Sequence, residues 1–304
     1  AVMTGAHVTE LFVDGDMVRG VAVERPDGGE ERIGCETLVL ACNGYGGSPE
    51  LVAEHIPQLA GAPYYGHVGN QGDAVRWGQA LGAELKHLSG CQGHGSLAHP
   101  HGILITWALM MEGGFQVNSA GRRFSNEHQG YSEQSVAVLE QPGGIAWDII
   151  DQRRHDFALA FPDFQEAIAA GAVKRAAAIE DLAGVIGVDA AILQATFAEV
   201  RSAHDGAADR FGRDFTTKPL LEAPYFAIKV TGALFHTQGG LNIDAEARVL
   251  RTDGTPLPNL FAGGGAACGV SGPEISGYLS GNGLMTAIAF GALAGEAAAR
   301  QVRS

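Results

Sequence analysis

A chain of 304 residues with 46% hydrophobic and 18% charged content has the make-up of a well-buried globular protein, not of a disordered one. Its formal net charge of −14 argues against nucleic acid or an anionic membrane as main partner, because both are met with basic patches. The length suits two domains, or one large α/β domain with an insertion. No stretch reaches the roughly 18 apolar residues of a membrane span, and no signal-peptide pattern opens the chain. The four cysteines, Cys35, Cys42, Cys91 and Cys268, show no C-x-x-C spacing. That speaks against zinc or a disulfide framework and suits a reducing, cytoplasmic setting. His99 and His101 lack an evident third ligand, so no metal site is expected. The 44 glycines are about twice the usual share. They gather in short loops, where a backbone must approach a ligand or another backbone closely.

The first segment, "HVTELFVDGDMVRGVAVERPDGG", alternates apolar residues around turns at Asp14-Gly15-Asp16 and Pro26-Asp27-Gly28-Gly29, the pattern of a β-meander. "TLVLAC" is a continuous apolar run and predicts a buried strand. It ends in the tight loop "NGYGGSPE", with a helix starting near Pro49. "GNQGDAVRWGQALGAELKHL" is a glycine loop running into a second helix. From Ile103 to about Pro224 the texture changes, and helical patterns in "QEAIAAGAV", "IEDLAGVIGV" and "AAILQATFAEVRSAH" predict a largely helical insertion. Strands and glycine turns return in "ALFHTQGGLNIDAEARVLRTDGTPLPNLFAGGGAACG". The last helix runs from about Gly283 to Val302, after the glycine-rich loop "GYLSGNG". The two β-rich ends are expected to form one domain, with the insertion as a cap, and ligands in such folds bind at strand carboxyl ends.

These motifs resemble the fumarate reductase/succinate dehydrogenase flavoprotein family, nearer its 3-ketosteroid dehydrogenase branch. The match runs nearly the whole length: "TLVLACNGYGG", "GNQGDAVRWGQALGAEL", "GGFQVNSAGRRFSNE", "HTQGGLNID" and "LPNLFAGGGAACGVSG" occur in family order. The resemblance implies an α/β fold: the C-terminal part of an FAD-binding, glutathione-reductase-like domain (residues 1–102 and 226–304) with an inserted α+β capping domain (103–225). It implies FAD as cofactor. The family's opening G-x-G-x-x-G unit, which cradles the pyrophosphate, has no counterpart in this sequence. The expectation is therefore a C-terminal part of a longer flavoprotein, with the missing N-terminal FAD-binding segment or a partner chain completing the site. By the same resemblance, Cys42, Asn43, Gly44, Gly72, Asp73, Gly239, Gly240, Gly264, Gly281, Asn282 and Gly283 are the expected cofactor-binding residues. The family's glutamate in this last strand–loop unit is Gly265 here, which removes one anchor.

The resemblance also implies the chemistry, two-electron transfer between flavin and a C–C bond next to an electron-withdrawing group. The loop from Ser280 to Gly283 offers backbone N–H groups at a helix N-terminus, where negative charge is favoured. Where fumarate reductases carry a carboxylate-clamping arginine, this chain has Tyr278. A neutral O–H suits a ketone as an arginine fork suits a carboxylate, so Tyr278 is the expected carbonyl-polarising residue, with Ser280 assisting. A tyrosine packed under a loop is the plainer alternative. Tyr131 stands where the family's proton-donating arginine belongs and is the expected acid/base, with Glu127 and His128 near it in sequence. Trp107 and Met110 replace a glutamate and an arginine. His94 and His236 match the family's substrate-side histidines. These replacements predict a ketone-bearing, mostly apolar substrate, steroid-like or a cyclic enone. The alternatives are a reductase of small unsaturated carboxylic acids, and a non-catalytic fragment lacking the ADP-binding half that would expose an apolar surface.

Overall fold

The structure is a computed structural model that describes residues 1–303. In chain order its elements are β1 (His7–Asp14), β2 (Met17–Glu24), β3 (Glu30–Gly34), β4 (Leu38–Leu40), α1 (Pro49–His55), α2 (Asp73–Ala80), β5 (Leu85–Lys86), β6 (Cys91–Ala98), β7 (Ile103–Leu104), α3 (Ala108–Met111), β8 (Phe115–Val117) and α4 (Tyr131–Leu139). They continue with β9 (Ile145–Asp151), α5 (Gln152–Ala158), α6 (Pro162–Ala169), β10 (Val173–Ala176), α7 (Ile179–Ile186), α8 (Ala190–His204), β11 (Tyr225–Thr237), β12 (Gly240–Leu241), β13 (Arg248–Leu250), β14 (Pro256–Ala262) and α9 (Asn282–Arg303). The chain forms two compact units. The first comprises Ala1–Pro57, Gly66–Gln92 and His236–Ser304, the second Gln58–Tyr65 and Gly93–Phe235.

In the first unit the expected meander is the antiparallel sheet β1-β2-β3. The two apolar runs form strands. β4 and β14 pair in parallel, Leu38 against Leu260 and Leu40 against Ala262, with β13 on the outer side of β14. β14 is buried along most of its length, whereas in β4 only Leu40 is buried and Val39 is 37% exposed. Asn259 ties this sheet to the meander. Its carboxamide accepts from Val18 N at 3.0 Å and donates to the carbonyls of Val18 at 2.7 Å and Glu36 at 2.8 Å. α1 begins at Ser48, whose Oγ accepts from Leu51 N, with Pro49 in the first turn, where a missing N–H costs nothing. Cys42 and Cys268, in apolar segments, are only half-buried, and Cys91 is the buried one. One face of α9 is apolar and open: Leu284 is 78%, Ile288 75% and Met285 53% exposed.

In the second unit the segment 103–225 carries strands as well as helices, more than the helical patterns alone predict, whereas the resemblance implied an α+β cap. A six-stranded sheet in the order β7-β6-β11-β9-β8, with β10 also on β11, forms its centre. β9, "IAWDIID", pairs antiparallel with β11 from Tyr225–Asp151 to Thr231–Ile145. Two apolar cores flank this sheet, one around Phe164, Ile150 and Ile228 and the other around Phe115, Leu193 and Leu182. The helices were legible because they show 3.6-residue periodicity and caps: Asp189 Oδ1 accepts from the amides of Ala191 and Ile192 at the start of α8. Of the strands, β9 and β11 are buried on both faces along most of their length, so they show no alternation to read. Among the described residues no helix is long and apolar enough to cross a membrane, and no group of three His, Cys, Asp or Glu side chains is placed to hold a metal ion.

Candidate active site

In the first unit the loop after β4 brings several expected residues together. Asn43 has φ +64°, a left-handed conformation that asparagine tolerates because its side chain bonds locally. Asn43 Oδ1 accepts from Gly44 N at 2.9 Å. Tyr45 N donates to Thr237 Oγ1, and a Cβ on Gly44 would lie 1.9 Å from that same oxygen. A Cβ on Gly265 would meet Asn43 Oδ1 at 2.1 Å and His236 Nε2 at 3.0 Å. Position 265 thus touches both an expected cofactor residue and an expected substrate histidine, and a side chain there would oblige Asn43 to move. His236 is half-buried, and burial pushes its pKa down. Gln238 Nε2 bonds His236 Nδ1 at 2.9 Å, leaving the ring proton on Nε2. Cys42, Asn43 and Asp73 line one groove of about 1120 Å³, together with Ala41, Gly69 and Gln71. Gly72 caps α2. Gly239 and Gly240 pack against backbone, their missing Cβ positions lying 2.1 Å from His87 O and 2.6 Å from Ala266 O.

The loop that opens α9 holds the remaining first-unit residues. Gly264 begins a short 3-10 turn, Gly264–Ala266. Tyr278 caps a second one, Ile275–Gly277, in extended conformation and half-buried. Ser280 is exposed. Asn282 is buried, and its Nδ2 donates to Leu279 O at 2.7 Å. Its Oδ1 is buried and has no hydrogen-bond partner among the described residues. The amide of Asn282 donates to Leu279 O, and Met285 N donates to Gly281 O at the start of α9. The amides of Gly283 and Leu284 therefore lie in the first turn, where a helix has no internal acceptor for them.

In the second unit His94 on β6 sits in an aromatic box. Its ring stacks on Tyr131 at 5.2 Å and on Phe235 at 5.0 Å, and meets Trp107 edge-on at 5.8 Å between centroids. Phe235 stacks in turn on Tyr65 at 4.8 Å. So the structure brings together two expected residues, His94 and Tyr131. Phe235 was missed; it immediately precedes His236, and strand alternation sends the two side chains to opposite faces. Ser96 N donates to His94 Nδ1 at 3.1 Å, which leaves the proton on Nε2. Burial pushes the His94 pKa down to about 3. His94 is a neutral hydrogen-bond donor at any ordinary pH.

Behind the box lies a buried polar network. Ser96 Oγ donates to Asp148 Oδ2; Gln116 Nε2 donates to Asp148 Oδ1 at 2.7 Å and to Gly95 O at 2.9 Å. Burial pushes the Asp148 carboxyl up to about 7, against the lowering effect of the Ser96 and Gln116 bonds. Gln116 N donates to Glu127 Oε1 at 3.0 Å. Glu127 and Asp209 pair with Arg123 and Arg213: Arg123–Glu127 and Arg213–Glu127 are both 2.9 Å, and Arg123–Asp209 is 2.6 Å. Burial pushes Glu127 up, but Arg213 and Arg123 beside it win and hold it at about 2. Glu127, near Tyr131 in sequence, is thus taken up by the two arginines. His128 reaches Met110 O at 3.2 Å through Nε2, and Met110, expected as part of an apolar substrate wall, is a buried core residue. Asp148 had a sequence signal, an acid inside an apolar run. Arg213, distant in sequence from its partner, had none.

The sequence family described as an FAD binding domain matches residues 1–284. The chain belongs to the fumarate reductase/succinate dehydrogenase flavoprotein family. It is 30% identical over 297 residues to a probable fumarate reductase, Ifc3, of Shewanella frigidimarina, covering 97% of this chain and 50% of the relative. It is 27% identical over 322 residues to a 4-oxocyclohexanecarboxylate 2-dehydrogenase of Sinomonas cyclohexanicum, covering 88% of this chain and 53% of that one. The solved open conformation of a flavocytochrome c3 fumarate reductase superposes with a TM-score of 0.80 at 29% identity, over 97% of this chain and 52% of that chain. The chain thus spans about half the length of the curated relatives it matches.

FAD is the cofactor of this family, and the first unit fits it. The groove along Cys42, Asn43, Gln71 and Asp73 is as large as sites for extended ligands. The unpaired Asn282 Oδ1 is an acceptor for a ring N–H, and the first-turn amides of α9 suit the electron-rich edge of a reduced flavin. Cys42, Asn43, Gly44, Asp73, Asn282 and Gly283 are the residues that would hold it.

Proposed function

We propose that the chain is the catalytic C-terminal part of an FAD-dependent oxidoreductase that dehydrogenates or reduces a C–C bond next to a ketone in a largely apolar substrate, a steroid-like ring system or a cyclic enone. The observation that carries this reading is the neutral His94, held by Ser96 in a box of aromatic rings. The bound flavin would take up or give the hydride. Tyr278 donates its O–H to the ketone, with Ser280 assisting. Tyr131 moves the proton at the adjacent carbon, and His236 and His94 donate through Nε2. The 4-oxocyclohexanecarboxylate dehydrogenase supports a ring ketone as substrate class. The glutathione-reductase-like arrangement, the α+β cap and a cytoplasmic setting belong to the same proposal, the last supported by four free cysteines. The open apolar face of α9 supports a further partner: the ADP-binding half of the flavoprotein, packed on Leu284 and Ile288.

A second reading, reduction of small unsaturated acids, is favoured by the 30% identity to a fumarate reductase. It requires a cation for the carboxylate, whereas Arg123, Arg154 and Arg213, the buried arginines of the second unit, are all engaged in ion pairs. Re-oxidation of the dithionite-reduced, flavin-bound protein decides. Cyclohex-2-enone is expected to re-oxidise it at least about tenfold faster than fumarate, since discrimination by matched donors reaches that size. The opposite preference would overturn the ketone reading.

A further inference from the structure

Trp107 precedes the short helix α3 and is 7% exposed, with its ring edge-on to His94. Its indole Nε1 is buried and has no hydrogen-bond partner among the described residues. Among the described groups nearby Arg213 Nε also lacks a partner, although its guanidinium is otherwise paired; the neutral polar side chains are satisfied. Ser96 serves His94 and Asp148, Gln116 serves Asp148 and Gly95, and Gln134 serves Gln116 and Ser125. A buried indole N–H ordinarily finds an acceptor, and one without an acceptor costs folding free energy that a phenylalanine of similar shape would not. The chain therefore keeps a donor in the aromatic box for which it has no internal use. The adjacent ring carries a second neutral donor, because Ser96 N occupies His94 Nδ1 and leaves the proton on Nε2. The guanidinium charges behind the box are cancelled within their own cluster, two arginines against Glu127 and Asp209.

We propose that Trp107 is a specificity-determining residue whose indole N–H donates to one of the two lone pairs of the substrate's uncharged carbonyl oxygen. The proposal rests on the ketone reading above and gives it a residue. A neutral donor matches a neutral carbonyl oxygen. A carboxylate there would be buried beside the Asp148 carboxyl network without a countercharge, which is strongly unfavourable. In this structure the indole nitrogen is closed to water.

The test is calorimetric binding to the flavin-bound protein and its Trp107→Phe variant, using cyclohex-2-enone and, as a probe with the ring but no oxygen, cyclohexene. The expected result is a roughly five- to hundredfold loss of enone affinity in the variant, with cyclohexene affinity and flavin content unchanged. Equal enone affinity in the two proteins would overturn the role of Trp107 and leave the ketone reading intact. Parallel losses for enone and cyclohexene would also overturn it, by assigning the effect to packing. Failure of the unaltered protein to bind cyclohex-2-enone while binding fumarate would instead sink the ketone reading, and the assignment of Trp107 with it.

Discussion

Replacing Asp148 by asparagine removes a buried titrating group while keeping its shape, and the effect on stability depends on pH in a way the structure specifies. Burial raises the carboxyl from 3.8 to about 7. Three units at roughly 1.4 kcal/mol each give on the order of 4 kcal/mol. Because the folded-state pKa is the higher one, the folded protein holds the proton more tightly. This contribution is complete below about pH 4, falls as pH rises through the window between 3.8 and about 7, and is flat above it. The carboxamide of the Asp148→Asn variant does not titrate, and it can still accept from Gln116 while donating to Ser96 Oγ, which then turns from donor to acceptor. Urea unfolding of the native and Asp148→Asn proteins, followed by tryptophan fluorescence at pH 4.5 to 8.5, gives the stability difference. That difference is expected to move in favour of the variant as pH rises, by about 3–4 kcal/mol, and to level off above neutrality. A difference constant across this range would refute the reasoning: the carboxyl would then titrate alike in the folded and unfolded chain, and the Ser96–Asp148–Gln116 arrangement would not be as closed to water as described.

Tyr278→Phe, made in the intact flavoprotein, is expected to lower turnover of the ketone by about two orders of magnitude or more, with the visible flavin spectrum retained; unchanged turnover removes Tyr278 from its proposed role. Glu127→Gln leaves Arg213 and Arg123 with one anion fewer in a site closed to water. It is expected to cost about 3–5 kcal/mol of stability, read by thermal or urea unfolding.

Much of the framework was legible because local chemistry dictates it. The meander follows from alternation and two turns, β4 and β14 from apolar runs of strand length, and α9 from a long apolar pattern after glycines. The loop that carries Asn43 and Gly44 and the start of the helix at Asp73 were legible for the same reason: such a passage is written in consecutive residues, while the cofactor role proposed for these residues came from the family resemblance. The second unit was harder. Its central sheet draws strands from separated stretches among helices, and β8 gives no alternation over three buried residues. Arg213 meets Glu127 across 86 positions and Asp148 meets Gln116 across 32, and nothing local to either residue announces such a partner. Trp107 was legible as apolar; that its N–H lacks an acceptor is a property of the packed interior alone.

The interlock of Asn43, Gly265 and His236 bears on which residues position 265 accepts. Because an atom at the Cβ of residue 265 would fall within 2.1 Å of Asn43 Oδ1, any larger residue at 265 obliges the Asn43 side chain to rotate away, and in doing so it gives up the bond to Gly44 N that shapes the loop. Residue choice at 265 is therefore tied to loop shape at 43: a side chain gained at one position is offset by a local bond lost at the other.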